Sequence, residues 1–256
     1  MIRRISIFAY GIASYALFLG TFLYSIAFVG GFGVTTTIDG PGPAATGWGV
    51  ALNLALLTLF ALQHSGMARR GFKAWWTRIV PEETERPTYV LASSVSLWLL
   101  YAFWQPLPDV VWEVTGSVGS VSLWAVYGFG WALLLYATAL VDHFELFGVS
   151  QAIRGLKGRT PAPPRFVTPG LYRLVRHPIY LAWAIIFWAT PVMTLGHLLF
   201  AAVCTGYMLV AIPLEERDLI HEFGDAYRDY RARVAMLLPI PKRWRPAPSA
   251  TTARAV

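Results

Sequence analysis

Long apolar runs alternate with short polar pieces along the chain, and the run lengths match the thickness of a bilayer. A run of about 18 or more apolar residues is long enough to cross a hydrocarbon core. Four such runs stand clear, at 5–29, 48–65, 88–107 and 120–141. They predict four membrane-crossing helices. The first follows Arg3 and Arg4, as a secretory signal would, but it exceeds the about 7–15 apolar residues of a signal and reads as a retained helix.

A fifth apolar stretch, 178–213, is too long for one crossing. Its 36 residues would make a straight helix of about 54 Å, against a hydrocarbon core of about 30 Å. Pro191 lies inside it, beside Thr190, Thr194 and Gly196. Proline removes a backbone donor and clashes with the preceding turn, so a break is expected there. The pattern predicts a helical hairpin with a short arm at 178–190 and a longer one at 195–213. A single tilted, kinked span is the alternative.

Charge separates the two. Arg3 and Arg4 precede the first span, five basic residues lie in 66–87, six in 142–177 and eight beyond 213, which is all 21. Loops 30–47 and 108–119 carry only Asp39, Asp109 and Glu113. Basic residues gather on the cytoplasmic side of membrane proteins. A single crossing would put eight of them outside, so the hairpin is preferred. The N-terminus is then expected in the cytoplasm, and the chain integral to the plasma membrane, the inner membrane in a bacterium.

Composition agrees. Hydrophobic residues make up 56% of the chain and charged ones 14%, where a soluble domain carries about 25% charged. The net charge of +7 therefore encodes orientation rather than affinity for nucleic acid. Cys204 is the sole cysteine, which excludes a disulfide framework and a cysteine-based zinc site. No histidine pair has the i, i+3 or i, i+4 spacing of a metal site, and no metal is expected. No G-x-G-x-x-G follows a strand pattern, and Gly30, Gly31 and Gly33 simply end the first span. There is no internal repeat. Residues 246–256 read as a disordered tail. The organisation expected is all-α: a membrane part over 1–141, a core over 142–245 with short amphipathic helices facing the cytoplasm, and the tail.

Ionisable groups at the edge of membrane spans are expensive and therefore candidates for function. Gln63, His64 and Ser65 end the second span; Asp142, His143 and Glu145 end the fourth, just before Gln151. Arg176, His177 and Tyr180 open the hairpin, and Glu215 and Glu216 close it. In the expected topology all these ends share one face, so they converge on one pocket and do not line a pore. Each has a plainer reading: a histidine can cap a helix, and Glu215 and Glu216 suit the first turn of a new helix. That helix would place Leu219, Ile220, Phe223 and Tyr227 on one face and Asp218, Glu222, Asp225 and Arg228 on the other, interrupted at Gly224. His197 reads as a turn or interface residue on the opposite side.

The string Thr168-Pro-Gly-Leu-Tyr172-Arg-Leu-Val-Arg176-His-Pro-Ile-Tyr180-Leu-Ala-Trp183, with Glu215-Glu-Arg-Asp-Leu219 and Phe223-Gly-Asp-Ala-Tyr227-Arg-Asp-Tyr230, resembles a membrane methyltransferase superfamily. Isoprenylcysteine carboxyl methyltransferases and phospholipid methyltransferases belong to it. Leu62-Gln-His-Ser65, Trp75-Trp-Thr-Arg-Ile-Val-Pro81 and Asp142-His-Phe-Glu-Leu-Phe-Gly148 are closer to its branch of methanethiol S-methyltransferases and NnrU-like proteins. The matches cover most of 55–240.

The resemblance implies S-adenosylmethionine as methyl donor, bound by the C-terminal half. His177, Pro178 and Tyr180 match the family's cofactor motif, and Phe166, Val167 and Tyr172 the segment before it. Glu215, with Glu216 beside it, matches the acid that contacts the cofactor, and Gln151 a glutamine of the preceding loop. Ala182 stands where the family usually has glycine. Ala211 stands where the prenylcysteine branch has an arginine for its carboxylate substrate, and a buried carboxylate without a partner is costly. A small neutral or thiol substrate is the expected acceptor, with methanethiol converted to dimethyl sulfide. The alternatives are another thiol, an isoprenoid or a lipid acceptor, or a non-enzymatic NnrU-like accessory role. For a thiol acceptor the catalytic candidates are His64, as base or thiol orienter, and Arg176, as electrostatic support for the thiolate.

Overall fold

The first apolar run becomes a 29-residue helix, α1 (Ile2–Gly30). It stops at Gly31, whose left-handed φ of 72° turns its N–H back to Ala27, a geometry that glycine adopts without a Cβ penalty. The computed structural model describes residues 1–41, 46–160, 163 and 165–240; the tail expected at 246–256 lies outside the described residues. The elements that follow are α2 (Gly47–Ala68), α3 (Arg70–Trp76), a 3-10 turn (Glu82–Thr84), α4 (Glu85–Phe103), β1 (Val110–Glu113) and α5 (Ser117–Leu140). Then come α6 (His143–Leu146), α7 (Val149–Lys157), a second 3-10 turn (Gly170–Arg173), α8 (Pro178–Trp188), β2 (Val192–Thr194), α9 (Leu195–Phe223) and α10 (Asp225–Arg233). The protein is an all-α membrane protein in which α1, α2, α5 and α9 are each long and apolar enough to cross a bilayer.

Three of them are the expected runs at 5–29, 48–65 and 120–141, and the fourth is the long arm of the hairpin; the 88–107 run forms α4, a 19-residue helix packed along α1 and α2. That helix begins earlier, at Glu85, and ends at Phe103. Pro106 and Pro108 follow, and a proline pushes the residue before it out of the α region. The chain leaves the helix at Trp104, whose indole donates to the Ile38 carbonyl at 3.2 Å.

The hairpin is present, and its turn is more ordered than the sequence foretold. After α8 the chain passes Pro191 into β2, which pairs antiparallel with β1, Val110 opposite Thr194 and Glu113 opposite Val192. Thr194 then caps α9, accepting from the His197 N–H at 3.1 Å. His197 is the turn residue expected. It is 1% exposed, with Nδ1 at 2.9 Å from Asp39 Oδ2 and Nε2 at 3.0 Å from the Phe187 carbonyl.

The end expected for α9 at 213 is not observed. The helix runs through Pro213 to Phe223. Glu215 and Glu216 therefore lie well inside it rather than in a new first turn, and their side chains are free for tertiary contacts. The break comes at Gly224, with φ of 57°, where it was expected.

Small and hydroxyl-bearing residues set the helix packing, as they must where lipid supplies no water. On the buried face of α1, Ser14, Thr21 and Ser25 each donate to a carbonyl four residues back at 2.8 Å. Gly11 lets α7 approach so closely that a Cβ there would collide with Ala152. Gly130 does the same between α5 and α8, where a Cβ would stand 2.8 Å from Ile186. Asn53, wholly buried in α2, satisfies both ends of its amide on the Gln105 backbone, at 2.7 and 2.9 Å.

Candidate active site

The local reason for the site is the start of α8. Pro178 occupies the first helical turn, where its missing N–H is no loss, and its ring keeps His177 before it out of the helix. Val175 pairs there in parallel with Ala235. The Arg176 and His177 N–H groups donate to the Ala235 and Met236 carbonyls at 2.8 and 3.1 Å. The segment after α10 is thus stitched beneath the start of the hairpin.

Around this stitch sits a buried charged cluster. Arg176 Nε donates to Glu216 Oε1 at 2.7 Å, and His177 Nε2 lies 3.1 Å from the same oxygen. Arg176 Nη1 also donates to the Val234 and Arg231 carbonyls, at 2.6 and 3.2 Å. Arg231 adds a cation 3.6 Å from Glu216 Oε2. Arg176, His177 and Glu216 are all buried. Buried charges persist when paired and hydrogen-bonded, and this trio meets that condition.

Glu215 behaves differently from its neighbour. Its side chain is 42% exposed, against 8% for Glu216. Tyr180 donates to its Oε2 at 2.9 Å, and His177 Nδ1 stands 3.9 Å from that oxygen. Its Oε1 makes no hydrogen bond among the described residues. Tyr172 is near enough that Glu215, after burial, adds to the upward push on its phenol.

An aromatic wall closes the cluster. Phe166 packs against Phe223, Tyr227 and Tyr230 at centroid distances of 5.3–5.7 Å. The Tyr230 hydroxyl donates to the Tyr172 carbonyl at 2.6 Å, and burial pushes the Tyr230 phenol up to about 12. Val167 is exposed beside this wall.

His64 sits on the facing side. Its ring lies 3.1 Å from the Ser93 hydroxyl and 2.8 Å from that of Tyr89, and it stacks on Phe60 with centroids 5.1 Å apart. Tyr89, Tyr180, Tyr207 and Glu215 are within electrostatic reach of one another, which brings the His64–Tyr89 pair to the border of the Glu215 site. The Arg86 guanidinium stands 5.0 Å above the Tyr89 ring. Gln151 accepts from the Arg86 N–H at 3.2 Å, so it meets the site through Arg86 and Tyr89 and touches neither Glu215 nor His177. Phe60 also lines an apolar cavity of about 120 Å³ between α2 and α9, with Ala61, Leu57, Val203, Cys204 and Tyr207. Tyr207 and Ser65 share a hydrogen bond of 2.9 Å at its edge.

The structure thus joins Arg176, His177, Pro178, Tyr180, Glu215 and Glu216, with Tyr172 and Phe166 adjoining. It does not bring Arg176 to His64: the guanidinium is engaged by Glu216 and two carbonyls. His143 is also separate, held between Tyr15 and Thr138 at 3.0 and 3.1 Å. Tyr89, Arg86 and Tyr207 were not singled out from the sequence. A polar group inside an apolar run was the available signal for Tyr89 and Tyr207; nothing local marked Arg86.

The fold is that of an integral membrane protein, with the charged cluster of Arg176, His177 and Glu216 at one end of its helix bundle. A sequence profile for a family described as a protein of unknown function, DUF1295, matches residues 48–234. Methanethiol S-methyltransferase 1 of Bradyrhizobium diazoefficiens is 54% identical over 232 residues, 91% of this chain and 81% of that protein. Methanethiol S-methyltransferase of Mycobacterium tuberculosis is 52% identical over 241 residues, 94% of this chain and 99% of that protein. More distantly, a Nurim homolog of Drosophila pseudoobscura pseudoobscura is 31% identical over 192 residues, 72% of this chain and 76% of that protein. No solved structure matches. The chain belongs to the DUF1295 family, within its group of membrane methyltransferases, and is a methyltransferase.

Proposed function

We propose that the chain methylates methanethiol with S-adenosylmethionine, releasing dimethyl sulfide, and that the site faces the cytoplasm of a bacterial inner membrane. The observation that carries the reading is the contrast between two adjacent acids. Glu216 is buried and fully paired, whereas Glu215 is half-exposed with one oxygen free of hydrogen bonds among the described residues. An acid held open by its neighbours suits a cationic donor bearing an ammonium group and sugar hydroxyls, so the residues present fit the group.

S-adenosylmethionine, when bound, supplies a methyl group on a positively charged sulfur that departs as a neutral thioether. Glu215 and Tyr180 hold its polar end, His177 and Pro178 shape the turn beneath, and Tyr172, Phe166 and Val167 line the rest. Glu216 and Arg176 act as positioning residues, fixing His177 and the 234–236 segment. Gln151 positions through Arg86.

The acceptor occupies the apolar cavity between α2 and α9. Its small volume suits a thiol of few atoms, and Phe60 joins it to the His64 ring. The thiol sulfur gains a carbon and loses its proton, which His64 accepts while Tyr89 and Ser93 orient the ring. Thiolate is the competent nucleophile, and holding it in line with the methyl group provides most of the rate. The one-sided distribution of basic residues supports the cytoplasmic orientation; a fluorescent reporter fused to the C-terminus tests it, and is dark if that end is outside.

Purified protein in liposomes, given methanethiol and S-adenosylmethionine, is expected to release dimethyl sulfide into the headspace. No dimethyl sulfide above the donor-free control overturns the reading.

A further inference from the structure

At the first turn of α1, outside the site described, a cavity of about 450 Å³ is lined by Arg3, Arg4, Arg159, Glu83, Gly155 and Gly158. Two glycines shape it. Gly158 ends α7 with φ of 62°, and a Cβ there would stand 2.9 Å from Arg4 Nη2. A Cβ on Gly155 would stand 3.0 Å from Glu83 Cγ. Without side chains at these positions, Arg4 lies over the end of α7 and Glu83 over its last turn.

Three guanidinium groups, always charged, face one carboxylate. No ion pair or side-chain hydrogen bond engages Arg3, Arg4, Arg159 or Glu83 among the described residues. The partial negative charge at the end of α7 offsets about half a charge, which leaves a strongly positive cavity. It sits where a membrane helix begins, at the depth of lipid headgroups. Ile2 and Ile5, on the same turn as Arg3 and Arg4, are exposed and offer apolar surface for an acyl chain.

We propose that this cavity binds the phosphate of an anionic phospholipid headgroup. Guanidinium forks match phosphate oxygens in bidentate fashion, and the volume exceeds a bare phosphate, leaving room for the glycerol attached to it. Basic pockets beside membrane helices are suited to this chemistry. Soluble phosphate presents the same oxygens but not the acyl chains that would lie along Ile2 and Ile5. The lipid would clamp α1 to α7, the helix from which Gln151 holds the start of α4.

Full-length protein in detergent micelles is titrated with dioleoyl phosphatidylglycerol or dioleoyl phosphatidylcholine, reading melting temperature and lipid retention by native mass spectrometry. Phosphatidylglycerol is expected to raise the melting temperature and remain bound, and phosphatidylcholine to do neither. Arg4→Gln with Arg159→Gln should weaken binding about tenfold or more, while Arg78→Gln, at an exposed arginine outside the cavity, leaves it unchanged. If the double variant does not fold, Arg159→Gln alone, beyond the end of α7, carries the same test. Equal binding of phosphatidylcholine, wild-type affinity in the folded cavity variant, or an equal loss in Arg78→Gln overturns the proposal. Displacement of the lipid by equimolar inorganic phosphate or glycerol 3-phosphate overturns the lipid assignment and gives the site to a soluble phosphate.

Discussion

His177 and Glu216, 39 positions apart, are joined by a contact of 3.1 Å between Nε2 and Oε1, and the neighbouring Arg176 binds that same oxygen at 2.7 Å. One buried carboxylate oxygen thus fixes both residues that open the hairpin. The adjacent Glu215 remains exposed to a ligand.

Removing that carboxylate strands a buried cation. Glu216→Ala is expected to destabilise the protein by about 3–5 kcal/mol, the usual cost of breaking a buried pair from one side. The measurement is thermal or urea melting in detergent. The double variant Arg176→Met, Glu216→Leu should recover most of the loss, because it removes both charges. A melting temperature in Glu216→Ala equal to the wild type would contradict the assignment.

Glu215→Gln separates binding from folding. The side chain is half-exposed, so stability should change little. Affinity for S-adenosylmethionine, by calorimetry, should fall about tenfold or more, as for loss of a charged hydrogen-bond partner. Tyr180→Phe should show a smaller effect in the same direction. A folded Glu215→Gln protein with wild-type donor affinity would remove Glu215 from the donor site.

Acceptor size follows from the small apolar cavity between α2 and α9, about 120 Å³. Methanethiol and ethanethiol should be methylated with similar efficiency and octanethiol hardly at all, measured as thioether formed. Ala61→Phe, which fills the cavity, should raise the methanethiol KM without altering donor binding. Efficient turnover of octanethiol or of an isoprenoid thiol would place the acceptor elsewhere.

His143 predicts a pH dependence. Burial holds its pKa below the ordinary 6.5, with Asp142 opposing. A histidine with a depressed folded pKa contributes stability that is complete above about 6.5 and is lost as pH falls through the folded value. Wild-type melting temperature should therefore drop between pH 7 and pH 5, and His143→Asn should show a shallower slope. A single proton limits the difference to about 1.4 kcal/mol per pH unit. Parallel slopes would show that His143 does not titrate on unfolding.

The sequence alone determined the class of the fold. Run length sets how many helices can cross a bilayer, Pro191 breaks the last run, and the placement of every lysine and arginine forces the hairpin. These are local or one-dimensional constraints, legible without coordinates. The resemblance carried by Arg176-His-Pro-Ile-Tyr180 and Glu215-Glu216 located the cluster. Tertiary structure decided the rest. It made Glu216 the buried partner and left Glu215 open, although the two are adjacent and chemically identical, because α9 continues through Pro213 and turns their side chains to different neighbours. It pairs Val110–Glu113 with the hairpin turn and links Gln151 to His64 through Arg86 and Tyr89. It also occupies Arg176 with Glu216 and the Val234 carbonyl. Such contacts join residues tens of positions apart, and hydropathy and spacing hold no record of which partner a charge will meet once helices pack.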